Sequence, residues 1–109
     1  MVIMTRRPFR LVYDPEVIQH LRQIERKHHA LIRQTIEKQL GYEPEEETRN
    51  RKPLVSPAAL GATWEIRFGP GNRFRVFYQT DQDRREVIIL AIGIKRRDRL
   101  FIGGEKFEL

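Results

Sequence analysis

The chain has 109 residues, of which 39% are hydrophobic and 33% charged, so the sequence predicts one modest core and a single domain over residues 1–109. It contains no cysteine, which excludes disulfides, thiolate zinc sites, iron–sulfur clusters and a cysteine nucleophile. No stretch approaches the ~20 apolar residues of a membrane helix, and the N-terminal residues lack the apolar core of a secretory signal. We therefore expect a cytoplasmic protein that does not contact a membrane.

The charge of the chain is strongly basic, with 21 Lys and Arg residues against 15 Asp and Glu residues and a net charge of +6. Most of the basic residues are arginines, whose planar guanidinium suits two-point contacts with phosphate. This balance favours a polyanionic partner, either a nucleic acid or an acidic protein. Arginine-rich codon usage or a hot habitat would produce the same composition.

The first part of the chain predicts one strand and two helices. Residues 9–13 alternate apolar and polar side chains, which is typical of a short strand. Asp14 is a suitable cap for the helix that follows, in which apolar residues recur at helical spacing and His20 is expected at the surface. Residues 27–29 have no apolar anchor, so we expect a bend there and a second helix over residues 30–40.

The second part of the chain predicts strands. Residues 42–61 pass from an acidic run to a basic run and contain prolines, so we expect an irregular segment. Residues 62–68 and 74–80 alternate, and the Gly-Pro-Gly-Asn between them is a strong turn signal. Residues 87–92 are continuously apolar, as in a strand covered on both faces. The tail, residues 100–109, suggests two short strands around a Gly-Gly turn.

This order of elements predicts the fold class. An N-terminal strand and a helical hairpin, followed by an antiparallel three-stranded meander, favour an α+β domain with the helices on one face of the sheet. We expect the opposite face to remain partly open.

Strand alternation places three charged side chains on that open face. If Trp64 and its apolar neighbours pack beneath the helices, then Glu65, Arg67 and Arg75 point the other way. Cross-strand neighbours lie ~5 Å apart at the α carbons, so the three side chains are expected to converge.

One carboxylate among several fixed cations matches metal-independent cleavage of RNA. Glu65 would accept the proton of the 2′-hydroxyl as it attacks the neighbouring phosphorus, and Arg67 and Arg75 would stabilise the charge on the phosphoryl oxygens. The sequence assigns no general acid, because no histidine lies on the strands. With a single carboxylate on this face, we expect no metal site and no cofactor.

Further cations lie beside this candidate catalytic set. Lys95 and Arg96 end the apolar strand, and either would help the leaving group electrostatically. Alternation places Phe77 on the same face of its strand as the arginines, so it is a candidate for stacking on a base. The residues expected to bind nucleic acid without taking part in the chemistry are Arg49, Arg51, Lys52, Arg73, Phe77 and Lys95.

The same pattern also has non-catalytic interpretations. A Glu and an Arg two residues apart on a strand are often a solvated pair worth under ~1 kcal/mol. A basic sheet face can also bind nucleic acid or protein without any chemistry. Spacing alone leaves these alternatives open.

Four stretches of the chain together resemble the RelE/ParE family of bacterial and archaeal toxins. They are ETRNRKPL (residues 47–54), ATWEIRFGPGNRFRVFYQTD (62–81), VIILAIGIKRR (87–97) and IGGE (102–105). Each is a weak motif by itself, and their order and spacing carry the resemblance. The resemblance extends over nearly the whole chain, including the helical hairpin.

The resemblance implies an α+β toxin that is silenced by a cognate antitoxin protein. Many members cleave messenger RNA on the ribosome, and their arginines correspond to Arg67, Arg75 and Arg96, which with Glu65 form the candidate catalytic set. Cleaving members often end with a tyrosine or histidine that transfers a proton, where this chain has Phe101 and Ile102.

Two alternatives stand beside this interpretation. Other members of the family inhibit DNA gyrase through a similar helical hairpin, and the corresponding function here would depend on Arg22, Arg26 and Arg33. A toxin that has lost its catalytic chemistry, and now only binds its antitoxin, is the other alternative.

Overall fold

A computed structural model describes residues 7–55 and 61–107 of the chain. Within these ranges the helices are α1 (Glu16–Arg22) and α2 (His29–Leu40), joined by a 3-10 turn over Arg26–His28. The strands are β1 (Arg10–Tyr13), β2 (Arg51–Pro53), β3 (Trp64–Phe68), β4 (Phe74–Asp81), β5 (Glu86–Arg96), β6 (Arg99–Ile102) and β7 (Glu105–Phe107).

Most of these elements match the sequence predictions, including the bend between the helices and the hairpin in the tail. The prediction of an irregular segment over residues 42–61 missed β2. Part of that segment, residues 56–60, and the last two residues of the predicted tail lie outside the described residues.

One sheet contains all seven described strands. Its order is β2-β3-β4-β5-β6-β7 with antiparallel neighbours, and β1 pairs with β5 in parallel. Because β4 occupies one edge of β5 along its length, β1 and β6 share the other edge. β1 pairs with residues 86–89 and β6 with residues 93–96.

Both helices pack on one face of this sheet, which confirms the predicted α+β class. Ile32, Ile36 and Leu40 recur at helical spacing on α2 and are buried against the apolar side chains of the strands. Removing each such side chain from water contributes roughly 1.5–3 kcal/mol. The face of β3 that carries Ile66 and Phe68 is therefore held beneath the helices.

The opposite face of the sheet is less open than predicted. A second apolar cluster covers part of it, formed by Ala62, Phe77, Leu90, Ala91 and Leu100. The strand β5 is thus covered on both faces, as its continuous apolar run predicted. Charged side chains occupy the part of this face beyond the second cluster.

A β-bulge divides β5 into two halves. Odd-numbered residues face the helices before the bulge, and even-numbered residues face them after it. Phe77 lies opposite Ala91 and Tyr78 lies opposite Ile89, so Leu90 has no partner on β4. Val87 and Ile89 face the helices before the bulge, whereas Ile92 and Ile94 do so after it. The bulge therefore determines which basic residue at the end of β5 faces the helices and which faces the opposite side of the sheet.

His20 is buried, so the prediction that it lies on the helix surface is wrong. Its Nδ1 accepts a hydrogen bond from the backbone N–H of Ile92 at 3.2 Å. Ile92 lies in the gap between the β1 and β6 pairings, where that edge of β5 has no strand partner within the described residues. The imidazole thus satisfies a buried backbone donor that no strand reaches.

His29 joins the two helices. Its Nε2 donates to the carbonyl oxygens of Leu21 (2.9 Å), in the last turn of α1, and of Ile24 (2.8 Å), just beyond the end of that helix. These two bonds connect the start of α2 to the end of α1 and fix the bend between the helices.

Gly69 makes the turn between β3 and β4 possible. Its φ is +82°, and a β carbon there would lie 2.5 Å from Cδ2 of Phe74. The turn fixes the register of the two strands that carry the candidate site. No helix in the described part of the chain is long and apolar enough to cross a membrane.

Candidate functional site

Three charged side chains meet on the face of the sheet opposite the helices, as strand parity predicted. Arg67 lies directly opposite Arg75 in the β3–β4 register, and Glu65 lies one pleat away on β3. Oε1 of Glu65 accepts hydrogen bonds from Nε of Arg67 and from Nη1 of Arg75, the latter at 3.3 Å. The carboxylate thus holds both guanidiniums in place.

Burial separates the roles of these three groups. Glu65 is 4% exposed and Arg75 is 8% exposed, whereas the side chain of Arg67 is 49% exposed. Burial lowers the pKa of Arg75, the charge of Arg67 lowers it further, and Glu65 opposes both effects. Glu65 and Arg75 therefore form a buried pair, and Arg67 extends from this pair towards solvent.

A groove of about 670 Å³ opens beside Arg67 and Arg75. The β6–β7 hairpin forms its other wall. It is lined by Arg67, Arg75, Lys95, Asp98, Arg99, Leu100, Lys106 and Phe107. Five cations and one carboxylate in one groove favour an anionic ligand.

A smaller cavity of about 160 Å³ lies on the other side of Arg67. Its lining residues are Arg49, Asn50, Lys52, Glu65, Arg67 and Asn72. Arg67 is common to the two cavities, and its backbone N–H donates to the carbonyl oxygen of Asn50 at 2.9 Å. A phosphate bound at Arg67 would therefore have the Glu65 carboxylate on one side and the basic groove on the other.

Three of the predicted nucleic-acid contacts lie at these cavities. Arg49 and Lys52 line the smaller one, and Lys52 pairs with Glu65 in the β2–β3 register. Nζ of Lys52 lies 3.8 Å from Oε2 of Glu47, so this lysine is partly neutralised. Lys95 lines the groove.

The assignment of Arg51 as a surface contact for nucleic acid is wrong. It pairs with Ile66, so its side chain points to the helix side, where it is 3% exposed. Nη1 donates to the carbonyl oxygens of Glu43 (2.7 Å) and Glu46 (3.0 Å). Nη2 donates to the carbonyl oxygen and to Oε1 of Gln39, at 2.8 and 2.9 Å. Arg51 therefore attaches the acidic loop to the end of α2.

Phe77 differs from its predicted role, and Arg73 lies outside the two cavities. Phe77 lies on the predicted face of β4 but is 2% exposed within the second apolar cluster, so its ring is not accessible to a base. The guanidinium carbon of Arg73 lies 5.6 Å from the ring centroid of Phe74 and does not line either cavity.

Arg96 does not join the other predicted catalytic residues. The bulge in β5 places Arg96 on the same face of the sheet as Ile94, which packs beneath the helices. The guanidinium carbon of Arg96 lies 6.0 Å from the ring centroid of Phe101. The structure thus corrects this assignment and places Lys95 beside Arg75 instead.

Three charged residues of the groove were missed in the sequence. Asp98, Arg99 and Lys106 reach the groove because the β5–β6 turn and the tail hairpin fold back beside β5. The charged run over residues 95–99 and the Gly-Gly turn were the available signals. In the part of the chain that the structure describes, no group of three or more His, Asp or Glu side chains could hold a metal ion.

A comparison with models of protein families finds no match, and neither does a comparison with curated proteins. Among solved structures, the chain is similar to a chain in the crystal structure of the toxin–antitoxin complex RelBE2 from Mycobacterium tuberculosis. The TM-score is 0.65 at 23% sequence identity, and the alignment covers 81% of this chain and 99% of that chain. The likeness confirms the RelE-like fold predicted from the sequence.

Proposed function

We propose that this chain is the toxin of a type II toxin–antitoxin pair and that it cleaves messenger RNA presented by the ribosome in the cytoplasm. The observation that carries the proposal is the position of Arg67 between a carboxylate-lined cavity and a groove with five cations. The likeness to a chain of a toxin–antitoxin complex supports a cognate antitoxin protein as the partner that silences it.

The proposed reaction uses the chain, its RNA and solvent water. The 2′-oxygen attacks the adjacent phosphorus, the bond from phosphorus to the 5′-oxygen breaks, and a cyclic 2′,3′-phosphate and a 5′-hydroxyl end result. The hydroxyl loses a proton to Glu65 as it attacks, and the 5′-oxygen takes a proton from solvent water as it leaves. Negative charge grows on the phosphoryl oxygens between these events.

Each role follows from the position of a residue around Arg67. Arg67 and Arg75 bind the phosphate and stabilise its growing charge, which is worth ~2.7–4 kcal/mol for one well-placed donor. Glu65 lines the smaller cavity and receives the hydroxyl proton on that side, while it also positions the two arginines. Lys95, in the place first assigned to Arg96, stabilises the leaving oxygen from the groove.

Expression of the chain alone tests this function. Growth, the integrity of transcripts and DNA supercoiling are followed together for the wild type and for Arg67→Ala, with Arg22→Ala on the exposed end of α1 as the matched control. We expect growth arrest with cleaved transcripts for the wild type and the control, and neither for Arg67→Ala.

The other outcomes contradict the proposal in distinct ways. Altered supercoiling with intact transcripts would assign the chain to gyrase inhibition. Absence of any arrest by the soluble, folded wild type would favour a chain that only binds its antitoxin.

A further inference from the structure

A second basic cleft lies at the end of the sheet away from the candidate site. It has a volume of about 570 Å³ and is lined by Arg7, Pro8, Arg10, Arg84, Arg85 and Glu86. Four arginines against one glutamate leave an excess of positive charge. The proposed cleavage chemistry uses none of these residues.

Within the described residues, the contacts in the cleft leave the side chains of two arginines available to bind a ligand. Arg10 donates through Nη2 to Oε2 of Glu86, and Arg85 donates through Nη2 to the carbonyl oxygen of Arg7. The side chains of Arg7 and Arg84 have no hydrogen bond or ion pair with any described residue, and both residues are exposed.

Arg85 is built into the cleft at a conformational cost. Its φ is +50°, a backbone conformation that a residue other than glycine seldom adopts. Its guanidinium carbon lies 4.1 Å from the ring centroid of Phe9, and its Nε is buried without a hydrogen-bond partner among the described residues. A guanidinium stacked on an aromatic ring is held in one orientation, which suits binding of an anion through its remaining Nη donors.

The cleft and the groove face the same side of the sheet. Arg10 pairs with Glu86, and their neighbours Leu11 and Val87 pack with the helices, so the charged pair points to the other face. Arg75 points to that face as well. From Glu86 to Lys95 along β5, a rise of about 3.3 Å per residue separates the two sites by roughly 30 Å.

We propose that this cleft binds the phosphate backbone of the same polynucleotide strand that enters the groove, several nucleotides away from the cleaved bond. The proposal rests on the proposed function for the identity of that strand. An all-arginine set suits phosphate, because each planar fork can donate two bonds to one group.

The composition of the cleft favours a polynucleotide over an acidic protein. Protein interfaces centre on apolar and aromatic anchors, whereas nucleic-acid interfaces are polar and positively charged. Within the described residues, the exposed large hydrophobic side chains are those of Tyr13, Ile18, Leu31, Tyr42 and Val55, and none of these lines the cleft.

The test measures binding of fluorescein-labelled 2′-O-methyl oligouridylates of 6 and 30 nucleotides, which lack the attacking hydroxyl, over a range of salt concentrations. For the double variant Arg7→Gln/Arg84→Gln, we expect affinity for the 30-mer to fall roughly tenfold and its salt slope to fall by about 1.4. Affinity for the 6-mer, which fills the groove alone, should stay within about twofold. The control Arg22→Gln/Arg26→Gln removes the same charge from the helices and should bind both RNAs like the wild type.

Two results would overturn the proposal: unchanged binding of the 30-mer by Arg7→Gln/Arg84→Gln, or tighter binding of a poly-glutamate of equal length that depends on these arginines. The variant Arg67→Gln, at an exposed groove residue whose loss should leave the fold intact, separates the two hypotheses. If it keeps full affinity for the 6-mer while Arg7→Gln/Arg84→Gln weakens the 30-mer, the groove fails as the RNA site and the cleft remains. If it loses the 6-mer and the double variant loses nothing, the cleft fails and the groove remains.

Discussion

Arg67 and Arg75 lie directly opposite each other across the β3–β4 pair, although both side chains are positively charged. Like charges in this position destabilise a sheet, and here Glu65 compensates by accepting a hydrogen bond from each. Only Arg67 is substantially exposed. The arrangement concentrates positive charge at the junction of the two cavities, where an anion would relieve the repulsion that remains.

Substitution of Arg67 should separate activity from stability. Because its side chain is half-exposed, we expect Arg67→Ala to change the free energy of unfolding by under ~1 kcal/mol. RNA cleavage should fall by about 10²–10³-fold, since one donor to the phosphoryl oxygens is lost. Urea unfolding and a cleavage assay on the purified variant measure the two effects. Wild-type cleavage by this variant would remove Arg67 from the proposed chemistry.

Substitution of Arg75 should instead damage the fold. Arg75→Ala leaves the buried Glu65 carboxylate with Arg67 as its one cation, and breaking a buried pair in this way costs ~3–5 kcal/mol. The midpoint of urea unfolding should fall accordingly. The double variant Glu65→Leu/Arg75→Met is the control, and it should regain much of the lost stability without regaining cleavage. If Arg75→Ala unfolds like the wild type, the pair is not a buried one in solution.

The two carboxylates near Arg67 can be distinguished by paired amide substitutions. If Glu65 receives the hydroxyl proton, Glu65→Gln should lose at least ~10²-fold in cleavage, a typical contribution of a general base. Asp98→Asn, which changes the carboxylate that lines the groove, should keep cleavage within a few-fold. A pH–rate profile of each variant completes the comparison. The reverse ranking of the two variants would transfer the role of base to Asp98.

Arg51 should prove to be a structural residue. It donates four hydrogen bonds to the acidic loop and the end of α2, and Lys cannot reproduce that planar fork. We expect both Arg51→Ala and Arg51→Lys to lower the free energy of unfolding by ~2–4 kcal/mol. Lys52→Ala, the exposed neighbour, is the control and should have little effect on stability. An Arg51→Lys variant as stable as the wild type would contradict this role.

His20 predicts how stability depends on pH. Burial lowers the pKa of its imidazole, against the opposing effect of Glu16 and Asp14. Nδ1 accepts a hydrogen bond from the backbone N–H of Ile92, which requires that this nitrogen carry no proton. The unfolded chain then binds the proton more readily, so the contribution is fully present above the unfolded pKa of ~6.5. It is lost as the pH falls below that value through the lower pKa of the folded state.

Urea unfolding between pH 5 and pH 8 checks this dependence. We expect the wild type to lose stability below pH ~6.5 and His20→Gln to lose less over the same range, since Gln can accept the bond without titrating. His28→Gln, at a half-buried position on the 3-10 turn, serves as the control and should keep the wild-type dependence. Equal pH profiles for the wild type and His20→Gln would exclude His20 as the titrating group.

The convergence of Glu65, Arg67 and Arg75 could be predicted because it depends on local features. Alternation along β3 and β4 decides which side chains share a face, and the glycine turn between the strands sets their register. The same locality made the order of helices and strands predictable.

The orientation and burial of Arg51, Phe77 and Arg96 depend on the residues with which their strands pair and pack. Arg51 is in a three-residue strand that has no detectable period, so only its pairing with Ile66 shows that it points beneath the helices. Phe77 has the expected parity, but a second apolar cluster covers it. Burial depends on neighbours that are distant in sequence, and the alternation of side chains along a strand gives no information about those neighbours.

The choice between Lys95 and Arg96 shows most directly what tertiary structure decided. Along an unbroken apolar run, every residue is compatible with either face, so the sequence does not locate the bulge at Leu90. That one extra residue reverses the parity of everything that follows it in β5. The sequence by itself determined that cations end this strand, and the pairing with β4 determined that Lys95 is the one beside Arg75.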